Sequence, residues 1–99
     1  MKIMRGRKRR RYEKKNPRNM ENVVSLTSLH DGDTSVVAYT VGGFGLVRRL
    51  AEMGLTPGVR IKILRKGLLR GPFEIQVRGV SLALGYGVAS RVFVRPLRE

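Results

Sequence analysis

The sequence predicts a mainly β fold: a small antiparallel barrel of about five strands with one short helix inserted. Three observations support this prediction. Three segments in the second half alternate strictly between apolar and other residues, turns rich in Gly and Pro separate the elements, and only one segment has the apolar spacing of a helix. A chain of 99 residues has room for one such domain.

The first predicted strand follows an apolar lead-in and a turn. Residues 23–29 supply apolar anchors, and the composition His-Asp-Gly-Asp of residues 30–33 is typical of a turn. Residues 34–41 are rich in Val, Thr and Tyr, which favours a strand. Gly42 and Gly43 then break the pattern, so the strand is expected to end there.

The helix is predicted for residues 44–53. Its apolar face is formed by Phe44, Val47, Leu50 and Ala51, with Leu46 and Met53 alongside. Spacings of i, i+3 and i+4 place these residues together, so we expect this face in the core. Arg48, Arg49 and Glu52 fall on the other face, and Gly54 follows where a left-handed C-terminal cap is wanted.

Four more strands complete the predicted barrel. They comprise residues 59–63, 73–78, 80–84 and 91–95. Alternation along the first three is typical of strands that turn one face to a core. The residues expected in the core are Leu50, Met53, Ile61, Ile75, Val77, Leu82 and Val94.

The N-terminal segment differs in composition from the rest of the chain. Residues 1–18 hold ten of the 21 Lys and Arg residues but only one of the seven acidic residues. They contain too few apolar groups to offset the entropy lost on ordering. We therefore interpret residues 1–22 as a disordered basic tail and linker, and residues 23–99 as the folded domain. No apolar run of the kind found in a signal peptide follows the charges.

The tail suggests a first class of partners. A formal net charge of +14 favours acidic partners: nucleic acid, an anionic membrane face or an acidic protein surface. The candidate polyanion-binding residues are Arg7, Lys8, Arg9, Arg10 and Arg11. A solubilising extension without a specific partner is the alternative interpretation.

Several kinds of site are excluded by composition. The chain has no Cys and a single His, which removes disulfides, zinc knuckles, iron–sulfur centres and thiol nucleophiles. No nucleophile–base set is recognisable around the lone His, so we predict that the chain is not an enzyme and needs no cofactor. No segment approaches the roughly 18 apolar residues of a membrane span, which predicts a soluble protein.

Two local motifs are better explained as turns. Residues 43–48 resemble a glycine-rich dinucleotide loop, but Arg48 replaces its third glycine and no parallel βαβ unit follows. His30, Asp31 and Asp33 offer a weak candidate for a metal site. They lack the spacing of a calcium loop, and transition-metal sites usually need further imidazole or thiolate ligands.

The predicted strands also carry bases on their polar faces. These are Arg60, Lys62, Arg65, Lys66, Arg70 and Arg78. Such a face is compatible with a nucleic-acid surface. Only Phe73 and Tyr86 lie nearby for base stacking, so a solvated strand face is the simpler interpretation.

The middle of the chain resembles a known family. Residues 48–59 read R-R-L-A-E-M-G-L-T-P-G-V, which is similar to a segment of ferrous iron transport protein A (FeoA), and residues 26–33 and 71–84 resemble its opening and its hairpin. The residues that match the motif as structural positions are Leu50, Met53, Gly54, Leu55, Pro57, Gly58, Gly79 and Leu82. Two departures are Gly71, where the family has Asp, and Gly85-Tyr86-Gly87, where it has charges.

The resemblance implies an SH3-like barrel with the helix packed across one opening. It also implies a small, non-catalytic, cytoplasmic accessory protein of bacterial ferrous iron uptake that acts on the cytosolic GTP-binding domain of the permease FeoB. The candidate partner-binding residues are Arg48, Arg49, Glu52, Lys66, Arg70 and Pro72. The alternatives are a nucleic-acid-binding barrel that uses the tail, and a stand-alone domain of the kind found in metal-dependent repressors.

Overall fold

The computed structural model describes residues 22–97, which form one six-stranded antiparallel sheet and two helices. The strands are β1 (Val24–Ser25), β2 (Thr34–Thr40), β3 (Arg60–Arg65), β4 (Phe73–Val77), β5 (Val80–Leu84) and β6 (Val92–Pro96); the helices are α1 (Phe44–Glu52) and α2 (Tyr86–Ala89). Short 3-10 segments cover Leu26–Ser28 and Leu68–Arg70. The predicted tail and its candidate residues lie outside the described range, apart from Asn22.

The strand order is β1-β6-β2-β3-β4-β5. Consecutive strands β3, β4 and β5 pair as hairpins, whereas the last strand lies between the first two, with Val94 opposite both Val24 and Val37. The mainly β fold with an inserted helix is therefore confirmed. It has six strands where about five were expected, because β1 is only two residues long and carries no alternation to reveal it.

The core lies on one face of the sheet. Burial alternates along β4, where Phe73, Ile75 and Val77 are buried and the residues between them are exposed. The other buried apolar residues are Leu26, Leu29, Val37, Leu50, Leu55, Val59, Ile61, Ile63, Leu84, Ala89, Val92 and Val94. Met53 and Leu82, predicted for the core, are partly buried at its margin.

Helix α1 contacts the sheet through a different face from the one predicted. Leu50 is buried, with Leu46 and Met53 packed beside it, whereas Phe44 is 78% exposed and Ala51 is exposed. The expectation for Phe44 and Ala51 was wrong, because helical spacing allows two overlapping apolar faces and the sheet selects one. Neither helix within residues 22–97 is long and apolar enough to cross a lipid bilayer.

Candidate functional site

The outer face of α1 presents the charged side chains that were predicted there. Arg48, Arg49 and Glu52 are all exposed. The Nε atom of Arg48 lies 3.8 Å from Oε2 of Glu52, and its guanidinium carbon lies 5.9 Å from the centroid of the Phe44 ring. Because both charged side chains are about two-thirds exposed, this ion pair contributes little to stability. These groups are therefore available for contacts with another molecule.

An apolar cleft borders this face. It has a volume of about 130 Å³ and lies between α1, the end of β5 and α2. Its lining residues are Leu46, Arg49, Leu50, Met53, Ala83, Leu84, Gly85 and Val88. Arg49 is the only charged residue among them, so the cleft combines an apolar lining with a cation at its edge. This combination fits a partner side chain with an apolar body and an acidic end.

The loop between β3 and β4 forms a second exposed feature. Its two leucines are fully presented to solvent, with Leu68 86% and Leu69 101% exposed. The amide of Gly71 donates a 2.8 Å hydrogen bond to the carbonyl of Leu68, which closes the loop into a tight turn. A Cβ atom on Gly67 would collide with the backbone of Gly71 and Pro72, so glycine is required there.

The His30–Asp33 turn is hydrogen-bonded to this loop. The amide of Lys66 donates a 2.7 Å hydrogen bond to Oδ1 of Asp31, and the amide of His30 donates a 2.8 Å bond to Oδ2 of Asp33. Both carboxylates thus hold backbone amides, as expected for turn chemistry. Among residues 22–97, no three His, Cys, Asp or Glu side chains come close enough together to hold a metal ion.

Helix α2 contacts both the loop between β3 and β4 and the cleft beside α1. The guanidinium carbon of Arg70 lies 5.6 Å from the ring centroid of Tyr86 at the start of α2, and Val88 lines the cleft beside α1. This helix was not predicted from the sequence, because Gly85 and Gly87 are poor helix formers. The available signal was Tyr86 followed by Ala89, an apolar pair at helical spacing.

The basic strand face is a shallow groove on the other side of β3. Its volume is about 560 Å³, and its lining includes Arg60, Lys62, Gln76 and Arg78. Phe73 is fully buried, so this ring is unavailable for stacking on a base. The groove therefore has charge without aromatic platforms. The tail candidates Arg7–Arg11 lie outside the described residues.

The sequence matches a known domain family. The model of the FeoA domain matches residues 24–96, which is almost all of the described structure. The chain belongs to the FeoA family. The resemblance seen in the sequence is thereby confirmed over the sheet and both helices.

Relatives and solved structures agree with this assignment. A chain of Methanocaldococcus jannaschii assigned as an Fe(2+) transport protein A is 31% identical over 69 residues, which cover 70% of this chain and 82% of that one. The crystal structure of an iron uptake regulatory protein (FeoA) is 43% identical, with a TM-score of 0.71, and covers 76% of this chain and 99% of its own.

A third relative is described by the type of its fold. The zinc complex of FeoA from Stenotrophomonas maltophilia is 29% identical, with a TM-score of 0.61, and covers 70% of this chain and 86% of its own. It is described as a prokaryotic SH3 domain protein and is proposed to act as a ferrous iron transport activating factor. The SH3-like fold expected for this chain is thereby supported.

The FeoA motif explains how α1 is held on the sheet. After α1, Gly54 has φ +93°, and the amide of Leu55 donates a 2.9 Å bond to the carbonyl of Leu50. The amide of Gly58 then donates a 2.8 Å bond to the carbonyl of Val37 on β2. Leu50 and Leu55 are both buried. The motif residues therefore fix the exit of α1, while the charged residues between them face outwards.

Proposed function

We propose that this chain is a cytoplasmic, non-catalytic accessory protein of ferrous iron uptake that binds the cytosolic GTP-binding domain of a FeoB-type permease. The observation that carries the proposal is the match of the FeoA domain to residues 24–96. The description of the Stenotrophomonas maltophilia relative as a transport activating factor supports an activating role. A binding module of this kind acts by selecting one conformation of its partner.

The cleft between α1 and α2 is the contact that we propose for this partner. It offers Leu46 and Met53 for apolar burial and Arg49 for pairing with an acidic group. Arg48 adds a second exposed cation on the same helix. Interfaces in which a small apolar centre is surrounded by charges gain specificity and association rate from those charges. We therefore expect binding of modest affinity that weakens as salt is added.

Lys66, Arg70 and Pro72 form the edge of the proposed contact. Arg70 lies over the ring of Tyr86 on α2, which places the loop beside the helix that also lines the cleft. The metal-binding and nucleic-acid functions remain alternatives. No described feature favours either of them over a protein contact, because the His30–Asp33 carboxylates hold amides and Phe73 is buried.

Binding of the isolated cytosolic permease domain to the full-length chain tests the proposal. The double variant Arg48→Glu/Arg49→Glu is expected to bind at least about tenfold more weakly at low salt, since it reverses one charge at the edge of the cleft and one on the exposed face of α1. Arg60→Glu/Lys62→Glu makes the same change on the strand face and serves as the matched control. Absence of binding by the wild-type chain, or equal losses in both variants, would contradict the proposal.

A further inference from the structure

We propose that the loop Gly67–Gly71 is a membrane-contacting tip, in which Leu68 and Leu69 enter the interface of an anionic lipid leaflet. This proposal does not depend on the permease, because it concerns lipid alone. It rests on three properties of the loop: the exposure of the leucines, the shape in which the backbone holds them, and the cations around them.

The exposure of this pair is unusual within the described structure. Leu68 and Leu69 are adjacent and almost wholly surrounded by solvent, whereas the other large exposed apolar residues are separated along the chain and less exposed. Single exposed apolar residues are common on protein surfaces, but contiguous ones indicate a contact. Two adjacent exposed leucines at one tip therefore indicate a contact with an apolar environment outside the described chain.

The backbone holds the pair outwards in a fixed shape. Leu69 and Arg70 have φ values of +50° and +63°, a region that residues other than glycine rarely adopt. The hydrogen bond from Lys66 to Asp31 and the close approach of Gly67 to Gly71 maintain this conformation from both ends. A strained turn that displays its apolar side chains is typical of a functional contact. Its rigidity also lowers the entropy lost on binding.

The charges around the tip complement an anionic surface. Arg65, Lys66 and Arg70 flank the two leucines within the sequence 65–70. Asp31 is exposed and lines a pocket with Lys66, Leu68 and Leu69, and Glu74 lies 4.0 Å from the Nε atom of Arg65. The three bases therefore outnumber these two acids around the tip. Basic residues beside a bilayer are attracted by its negative headgroups. The cations would therefore lie at headgroup depth while the leucines lie deeper.

The geometry favours lipid over a protein groove. The leucines sit on a protruding turn, and a bilayer accepts a protruding apolar group without a matching cavity. Stable attachment to a membrane usually takes two signals, such as an apolar insertion and a polybasic segment. The chain carries ten bases within residues 1–18, which supply the second signal. A partner protein at the loop is the competing outcome of the test.

Vesicle flotation of the full-length chain at physiological ionic strength tests the proposal. The vesicles are pure phosphatidylcholine, or phosphatidylcholine mixed with phosphatidylglycerol. The variant Leu68→Ser/Leu69→Asn removes both apolar groups while keeping the fold, because Asn accepts a left-handed backbone. Its partition onto the mixed vesicles is expected to fall about tenfold. Phe44→Ser, which removes an exposed apolar residue on α1, is the control and should bind like the wild type.

Fluorescence provides a second readout that does not depend on the amount bound. The chain has no Trp, so Leu69→Trp places a single reporter at the tip and Phe44→Trp places one on α1. Mixed vesicles should shift the emission of Leu69→Trp to the blue, and lipids brominated on their acyl chains should quench it, with neither effect on Phe44→Trp.

The remaining outcomes overturn the proposal. If the wild type does not float with the mixed vesicles, the loop is not a membrane tip. If Leu68→Ser/Leu69→Asn floats like the wild type, or the emission of Leu69→Trp stays unchanged, another part of the chain binds the lipid and the loop does not. If the double variant keeps lipid binding but loses the permease domain, the loop contacts protein instead. The function proposed above would survive each of these results.

Discussion

The guanidinium of Arg70 lies over the ring of Tyr86, with its central carbon 5.6 Å from the ring centroid. The same ring lies 6.3 Å from that of Phe73, which is buried at the start of β4. Tyr86 thus connects the exposed loop to the core. Tyr86 is therefore one contact that holds the loop on the domain, another being the hydrogen bond from the amide of Lys66 to Asp31.

Arg70→Ala is expected to destabilise the domain by about 0.5–1 kcal/mol, the usual contribution of an exposed cation–π contact. The loop should also open more often, so the amide of Gly71 should exchange its hydrogen faster. Denaturant unfolding and hydrogen exchange measure the two effects. Arg60→Ala, on the strand face, is the control, and equal effects of the two variants would show that the contact with Tyr86 is unimportant.

Asp31→Ala is expected to release the loop from the turn beneath it. The variant removes a 2.7 Å hydrogen bond from the amide of Lys66, at a cost of about 1 kcal/mol. Asp31→Asn keeps an acceptor oxygen and should lose less. The exchange rate of the Lys66 amide, followed by NMR, distinguishes the variants. A loop that exchanges at the wild-type rate in Asp31→Ala would refute this role for the carboxylate.

Gly67→Ala and Gly45→Ala are expected to change stability in opposite directions. At Gly67 the added methyl group meets the backbone of Gly71 and Pro72, which costs about 1–3 kcal/mol. At Gly45, in α1, it meets nothing within 4 Å, and alanine should stabilise the helix by about 0.5–1 kcal/mol. Thermal unfolding of both variants provides the comparison. A neutral Gly67→Ala would mean that the loop backbone moves freely.

Phe73→Ala is expected to cost about 3–5 kcal/mol, because it empties a fully buried site in the core. A domain of this size has only about 3–5 kcal/mol of net stability, so this variant should be largely unfolded. Val80→Ala, at an exposed position on β5, should change stability by less than about 0.5 kcal/mol. Circular dichroism and the dispersion of amide NMR signals report the difference. A folded Phe73→Ala would indicate that the core collapses around the cavity.

Much of the fold could be predicted because its signals are local. Alternation along residues 73–77 and 80–84 predicts two strands, since successive side chains of a strand point to opposite sides. It also predicts the buried face along the whole of β4, but along β5 only at Leu82 and Leu84, because Val80 is exposed. The left-handed Gly54 marks the end of α1 for a similar reason, because few other residues adopt that conformation. The family motif around it also lies within one continuous segment.

The candidate site could be predicted only in part. Arg48 and Arg49 were recognisable as outward-facing residues of a helix, but the apolar cleft beside Arg49 was not. It forms where Leu46 and Met53 meet Val88 across more than thirty positions of the chain. No local sequence pattern predicts such a contact between distant residues. The short helix α2 was missed because glycines on both sides of Tyr86 outweighed its apolar spacing.

The sequence by itself determined the mainly β class, the position of α1, the family and the uneven distribution of charge. Each of these properties depends on composition or on interactions between residues a few positions apart in the chain. Only the tertiary structure decided which face of α1 is buried, why β6 lies between β1 and β2, and how Arg70 reaches Tyr86. These features depend on how side chains that are distant in the sequence pack together in one shared core.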